Sequence, residues 1–350
     1  MEIELKSRKI GDGHSPFFIA EAGVNHNGSM ENCIKLIDIA VEAGADAVKF
    51  QTFKTENIIT RDAPKSTYHV QTTGPSDGQS WFDLLKTQEM TREMHVQAMQ
   101  HCHDRGIMFL STPYDLESAV MLAELGVEMF KIASTDLNNI PFLEQMADFR
   151  IPLIVSTAMS SMDEVEESVA AIRNRGLNDF AVLQCTGNYP SMQENSNLAV
   201  MATYRDKLGC VVGFSDHSLG HINAIASVAA GAAIYEMHFT ISKDMPGPDH
   251  RMSADPEELA NAVRLLRLTW NSMGTGEKAL LEEEVENRAK LRKSIVAARD
   301  IRKGELLDET SVAIMRPGTG LAPKLLPEIA TKSALIDIKK HTPITKDMLS

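Results

Sequence analysis

Two histidines carry the sharpest chemical signal in this chain. His217 lies in Gly213-Phe214-Ser215-Asp216-His217-Ser218, and His238 follows about twenty residues later in Glu236-Met237-His238-Phe239-Thr240. Each stands at the carboxyl end of a short apolar run, Val211–Phe214 and Ala233–Met237. If these runs are neighbouring parallel strands, both imidazoles emerge at one edge of one sheet, where parallel barrels keep their reactive groups. Neutral ring nitrogens suit a first-row divalent ion, and two protein ligands leave positions open for water and substrate. A lone strand-end histidine is more often a hydrogen-bonded core residue. The pair, in a mouth already polar, favours a metal. His26, five residues after Glu21, competes for that role, but Asn25-His26-Asn27-Gly28 reads as a loop that hydrogen-bonds its own backbone.

Lys49 and Lys131 are the second signal. Both lie within apolar runs, where an unpaired ammonium is strongly destabilised, so each needs an anionic partner. Glu21 could serve one of them; a bound anion could serve both. The hydroxyls of Thr112, Ser134, Ser156, Thr157 and Ser215 also fall at run ends. Two lysines ringed by hydroxyls describe a phosphate or carboxylate cradle. Ordinary ion pairs inside a barrel are the plainer reading for either lysine alone.

Eight apolar runs alternate with helical-period segments between residue 17 and about residue 270: Phe17–Ala20, Ala47–Phe50, Ile107–Leu110, Met129–Ala133, Leu153–Val155, Phe180–Leu183, Val211–Phe214 and Ala233–Met237. Ile34, Ile37, Ala40 and Val41 share one helical face, and Ser161 with Glu164 has capping-box spacing. The alternation predicts an α/β protein with a closed (β/α)8 TIM barrel. A doubly wound sheet is the runner-up, but no GxGxxG opens the first unit. Residues 52–90, containing Gly74-Pro75-Ser76-Asp77-Gly78, are long for a bare connection and suggest a lid or an interface arm. Past Trp270, Gly274-Thr275-Gly276 breaks the pattern. The expected organisation is a barrel over 1–280, a charged linker over 281–293, and a small, mostly β and irregular domain over 294–350.

The chain has 35 Lys and Arg against 48 Asp and Glu, a net charge of −13 with no basic run, which argues against nucleic acid as a partner. Small molecules and copies of the same chain remain. Cys33, Cys102, Cys185 and Cys210 show no pairing pattern and read as reduced thiols. Cys185 reads as a small buried hydrophobe at a strand end. The N-terminus lacks signal-peptide features, and no apolar run approaches the ~20 residues of a membrane span, so a cytoplasmic protein is expected.

Taken in order, these segments resemble the sialic acid synthase family. The resemblance rests on Ala20-Glu21-Ala22-Gly23-Val24-Asn25-His26-Asn27-Gly28, Val48-Lys49-Phe50-Gln51, Ser111-Thr112-Pro113-Tyr114 and Lys131-Ile132-Ala133-Ser134. It continues through Ser156-Thr157-Ala158-Met159, Cys185-Thr186, Tyr189-Pro190, Phe214-Ser215-Asp216-His217, His238-Phe239-Thr240, Pro246-Gly247-Pro248-Asp249-His250 and Arg316-Pro317-Gly318-Thr319-Gly320. The last region is similar to the antifreeze-like (SAF) module that closes such proteins.

The resemblance implies condensation of phosphoenolpyruvate with an N-acyl hexosamine. N-acetylmannosamine, giving N-acetylneuraminic acid, is the leading acceptor; 2,4-diacetamido-2,4,6-trideoxymannose, the precursor of legionaminic acid, is the alternative. A sugar-phosphate acceptor would need a second cationic cluster, and none is visible. A non-catalytic carbohydrate- or ice-binding protein is the reading from another class. The resemblance further implies that His217 and His238 hold a manganese or magnesium ion. Lys49, Lys131, Thr112, Ser134, Ser156 and Ser215 would hold phosphoenolpyruvate. Gln51, Asp136 and Tyr189 would meet the sugar, as would Asp249, and Glu21 and Asp249 are the acid–base candidates. Arg316 would reach the acylamino group from the partner subunit of a domain-swapped homodimer. Two positions depart from the family pattern. Gly187 and then Asn188 follow Cys185-Thr186, where a polar substrate contact is usual, and Asp136 replaces a glutamate. Asn188 alternatively shapes the turn before Pro190, and Asp136 caps the following helix.

Overall fold

A computed structural model describes residues 1–75 and 79–350; Ser76-Asp77-Gly78 of the long connection lie outside the described residues. All eight expected runs form strands: β1 (Phe17–Gly23), β2 (Ala47–Thr52), β3 (Met108–Pro113), β4 (Phe130–Ile132), β5 (Leu153–Ser156), β6 (Phe180–Cys185), β7 (Val211–Asp216) and β8 (Ile234–His238). They pair in parallel and in sequence, and β8 pairs back onto β1 to close the barrel. Several strands run past the apolar runs that announced them, as β1 does through Glu21 to Gly23. The backbone ladder continues where the side chains turn polar, so an apolar run marks a strand but not its end.

Helices follow each strand: α1 (Met30–Ala43), α2 (Arg92–Arg105), α3 (Leu116–Leu125), α4 (Ile140–Asp148), α5 (Met162–Asn174), α6 (Val200–Leu208), α7 (Ile222–Ala229) and α8 (Pro256–Met273). The capping box at the start of α5 is formed in both directions by Ser161 and Glu164. On α1 the buried stripe is Cys33, Leu36, Ile37 and Ala40, while Ile34 and Val41 are half-buried. The inward face is therefore rotated slightly from the one the isoleucine spacing suggested. Residues 53–90 are not a bare loop, for they carry helices Thr55–Ile58, Thr67–Thr73 and Trp81–Lys86.

The barrel interior is built in layers, because strand side chains alternate between its two faces. Phe17, Ile19, Ala47, Leu110, Met129, Ile154, Ala181, Leu183, Val211 and Ile234 fill the amino-terminal part of the interior. Ile3, Leu5 and Ile10, from and beside the N-terminal hairpin of Glu2–Glu4 and Lys9–Gly11, pack into the same cluster. Two residues further along these strands, and four past Val211 on β7, the inward positions become Glu21, Lys49, Thr112, Lys131, Ser156, Cys185, Ser215 and Glu236. One period-two alternation thus writes an apolar floor and a polar mouth.

The chain divides into two compact units, Met1–Gly274 and Thr275–Ser350. The charged stretch expected as a linker lies in the second unit and carries the helix Val285–Leu291. There, β9 (Ser294–Ala297) pairs antiparallel with β10 (Val312–Met315), and isolated bridges such as Ile301 to Ile338 and Leu306 to Ser333 tie the turns. Ile295, Ile301, Leu307, Ile338 and Ile344 belong to its own buried core. This is a small domain of short strands and turns, as the short runs implied, and its strand pair is antiparallel.

Candidate active site

A cavity of about 690 Å³ opens at the carboxyl ends of the barrel strands. Its deepest polar layer is set by strand register: Glu21 lies opposite Lys49 across β1 and β2, and Glu236 opposite Ser215 across β8 and β7. Lys49 Nζ is 2.6 Å from Glu21 Oε2 and donates to Thr112 Oγ1 at 3.1 Å. Glu236 stands between the lysines, 3.5 Å from Lys49 Nζ and 3.5 Å from Lys131 Nζ, and accepts a 2.8 Å hydrogen bond from Ser215. The expectation that the lysines need an anionic partner is met by two carboxylates rather than one.

Burial and charge divide these groups. Burial pushes Glu21 up to about 7, against the pull of Lys49. Burial acts the same way on Glu236, but Lys131 and Lys49 outweigh it and bring that carboxyl down to about 2. For Lys49 the nearby carboxylates overcome the cost of burial and raise its pKa, whereas Lys131 is lowered, burial being only partly offset by Glu236. Two carboxyls in one mouth with separated proton affinities suit a proton carrier beside a fixed anion.

The two histidines converge as expected, their ring centroids 5.4 Å apart. His217 Nδ1 is 2.8 Å from the Thr186 carbonyl, so that nitrogen donates its hydrogen and Nε2 keeps a lone pair in the neutral ring. His238 is held well below the usual histidine range by burial and by neighbouring His217 and Lys49, and its Nδ1 is buried without a hydrogen-bond partner. Burial pulls His217 down, but Cys185 beside it prevails and raises the ring to about 9, so a divalent ion held by this pair would have to displace a proton from His217. Among the described residues no group of three or more His, Cys, Asp or Glu is arranged to hold one. Water or substrate would complete the coordination. His26, as its loop sequence implied, accepts the Gly28 N–H at 3.0 Å and stays outside the mouth.

The remaining candidates are mostly brought together. Gln51, Ser134, Asp136, Ser156, Tyr189 and Asp249 all line the cavity. Ser156 Oγ is buried and unpartnered, so a hydroxyl is free for a ligand. Asp249 is pushed up to about 6 by burial, against the pull of His217. Asp136 does not cap the next helix; Asn139 does, accepting from Phe142 N. Asn188 is exposed and is not in the lining, where Gly187 stands instead, with Met159 Cγ 2.9 Å from where a Cβ would project. Arg316 belongs to the second unit, directly after β10.

Among the lining residues with no catalytic or binding role assigned from the sequence, Glu236, Cys185 and Tyr114 stand out. Glu236 could have been found by the argument applied to the lysines, since it is a charge in an apolar strand, two residues from His238 and on the same face. Cys185 is buried as expected, yet its sulfur lies 3.6 Å from His217 Nδ1 within the mouth. Tyr114 gave no signal beyond its place after Pro113.

The NeuB family profile spans residues 36–278, and an SAF domain profile spans 292–350. The chain belongs to the NeuB family. It is 37% identical over 336 residues to an N,N'-diacetyllegionaminic acid synthase of Legionella pneumophila, covering 95% of this chain and 94% of that protein. It is 33% identical to the human N-acetylneuraminate-9-phosphate synthase, covering 100% of this chain and 97% of the relative. A crystal structure of N-acetylneuraminic acid (sialic acid) synthetase from Leptospira borgpetersenii superposes with a TM-score of 0.72 at 32% identity, covering 82% of this chain and 95% of that one. These named relatives are synthases of different sugar acids. No helix among the described residues of this NeuB-family chain is long and apolar enough to cross a membrane.

Proposed function

We propose that this NeuB-family chain condenses phosphoenolpyruvate with the open-chain aldehyde of an N-acyl hexosamine and water, releasing a nine-carbon keto sugar acid and inorganic phosphate. The observation that carries this reading is that Lys49 and Lys131 share one cavity with two histidines whose rings are 5.4 Å apart, giving an anion site beside a candidate ion site. The names of the relatives support the reaction class. Lys49, Lys131, Thr112, Ser134, Ser156 and Ser215 bind the phosphate and carboxylate of phosphoenolpyruvate. His217 and His238 would hold manganese or magnesium, which when bound supplies Lewis-acid polarisation of the aldehyde.

In the condensation, the enol carbon attacks the aldehyde carbon and forms the new C–C bond. The aldehyde oxygen takes up a proton from Asp249, whose carboxyl is raised to about 6. Carbon 2 of the former phosphoenolpyruvate is left electron-poor, and water held by Glu21 adds there as the Asp249 carboxylate left by the first step takes up its proton. Collapse of the tetrahedral adduct turns its new hydroxyl into the carbon 2 carbonyl, breaks the C–O bond and expels phosphate, which carries off the hydroxyl proton and whose developing charge Lys49 and Lys131 stabilise. Gln51, Asp136 and Tyr189 orient sugar hydroxyls. Arg316 of a partner copy binds the acylamino group, which makes the active form a homodimer.

A phosphate-release assay with phosphoenolpyruvate, manganese and a panel of N-acyl sugars tests the proposal. Acceptor-dependent phosphate release is expected. Its absence with every sugar would overturn the reaction, and full turnover in excess chelator would overturn the role of the ion.

A further inference from the structure

Asn25-His26-Asn27-Gly28 takes no part in the condensation, yet its two asparagines do more than satisfy their own loop. Their side chains reach residues 214 to 228 positions away. Asn25 is fully buried and uses both hydrogens of its Nδ2, one on the Phe239 carbonyl at 2.7 Å and one on Ser253 Oγ at 3.0 Å. Ser253 Oγ passes its own hydrogen to the Asp249 carbonyl at 2.7 Å. Asn27 Nδ2 donates to the Pro246 carbonyl at 2.8 Å. Asn27 Oδ1 lies 3.4 Å from Nε2 of His250, whose Nδ1 meets Thr240 Oγ1 at 2.6 Å. Thr240, His250 and Ser253 are fully buried as well. All these partners follow β8, which lies beside β1 where the barrel closes. Their loop is shut at its base, because Thr240 N–H donates to the Ala254 carbonyl and Ala254 N–H to the His238 carbonyl, each at 2.9 Å. The loop carries Asp249 to the cavity. Among the described residues no hydrogen bond reaches the Asp249 carboxyl, so the loop backbone sets its place in the mouth.

We propose that Asn25 and Asn27 are positioning residues: from the loop after β1 they hold the loop after β8 so that the Asp249 carboxyl stands where it delivers its proton. The inference rests on the condensation proposed above, with Asp249 as its proton donor, and adds what holds that donor. Asn25 follows Glu21 by four residues. The clamp therefore fixes Asp249 against the strand that carries Glu21, and these are the two carboxyls that handle the proton and the water. A misplacement of about 1 Å between reacting groups can cost on the order of 100-fold in rate, so a clamp of this kind acts on turnover without touching substrate.

A double-mutant cycle separates positioning from simple support of the fold. Asn27 has a φ of 51°, which glycine adopts without strain, so Asn27→Gly removes the side chain and spares the turn. Ser253→Ala deletes a single hydroxyl from the other branch of the clamp. The readout is the same phosphate-release assay, with whichever N-acyl sugar of the panel turns over. Asp249→Asn should lower kcat about 100-fold. Asn27→Gly and Ser253→Ala should each lower kcat about 10-fold and leave KM for phosphoenolpyruvate unchanged, because the lysine cradle is untouched. In the Asp249→Asn background the same two changes should cost less than about threefold, since no proton donor is left to misplace. A loss of about 10-fold that persists in that background, or an unchanged kcat in both single variants, would overturn the clamp as a positioning device and leave the condensation intact. Full kcat in Asp249→Asn would remove Asp249 as the donor and this inference with it. Turnover of no sugar at all would instead defeat the condensation itself.

Discussion

Glu236 lies 3.5 Å from each of two buried ammonium groups, and its carboxyl is the one that stays ionised in the mouth. Removing one partner of a buried ion pair typically costs about 3–5 kcal/mol, because the other charge is left in a low dielectric. Glu236→Gln should therefore lower stability by about 3 kcal/mol in denaturant unfolding, and phosphoenolpyruvate should restore more stability to the variant than to the wild type. Glu21 behaves oppositely, because its pKa is raised to about 7, above the ordinary carboxylate value of 4.5. Below about pH 7 it is protonated and leaves Lys49 to an incoming anion; above that it ionises and competes. Calorimetric binding of phosphoenolpyruvate should weaken as pH rises through about 7, by at most about tenfold per pH unit for one proton taken up, and Glu21→Gln should flatten that slope. His217→Ala or His238→Ala should reduce manganese affinity by more than about 100-fold, read by titration of the ion itself.

At the scale of the element, the site follows from strand alternation held in register. β7 shows how tightly the layers are packed. A Cβ at Gly213 would stand 2.4 Å from the Ile234 carbonyl oxygen and 2.6 Å from Leu183 Cδ2, on neighbouring strands. Backbone cannot yield as a side-chain tip can, so Gly213→Ala should destabilise the barrel by about 3 kcal/mol in denaturant titration, at the upper end of overpacking costs. The same strand carries Ser215 on its inward face and leads directly into His217, so displacement would reach the site as well as the fold. Outside the barrel, the arm over 53–90 keeps its own apolar cluster and its own helices, which lets it line the cavity without altering strand register.

For the whole molecule, the two compact units each bury a separate core, the larger over Met1–Gly274 and the smaller over Thr275–Ser350. The proposed reaction needs both, because Arg316 lies in the smaller one. Arg316→Ala should raise the acceptor KM far more than that of phosphoenolpyruvate. If the arginine acts across subunits, mixing Arg316→Ala with a Lys131→Ala variant should restore part of the activity, since some mixed dimers then hold one intact site. Lack of recovery, with subunit exchange demonstrated, would place the arginine within its own chain.

Local pattern alone determined a good deal about this protein. Eight apolar runs marked eight strands, Ser161 and Glu164 marked a helix start, and polar residues at the run ends marked a mouth, because alternation and capping act over a few residues. His217 with His238 and Lys49 with Lys131 were legible for the same reason, each being an unusual residue type within or directly after an apolar run. What only the tertiary structure decided depends on groups far apart in sequence. Glu236 between the lysines, the thiol of Cys185 beside His217, Gly187 rather than Asn188 in the lining, and the apolar cluster of the arm all arise from strand register and packing. Such pairings are fixed only when the closed barrel sets residues about two hundred positions apart, such as Glu21 and Glu236, into one buried layer where their charges must balance.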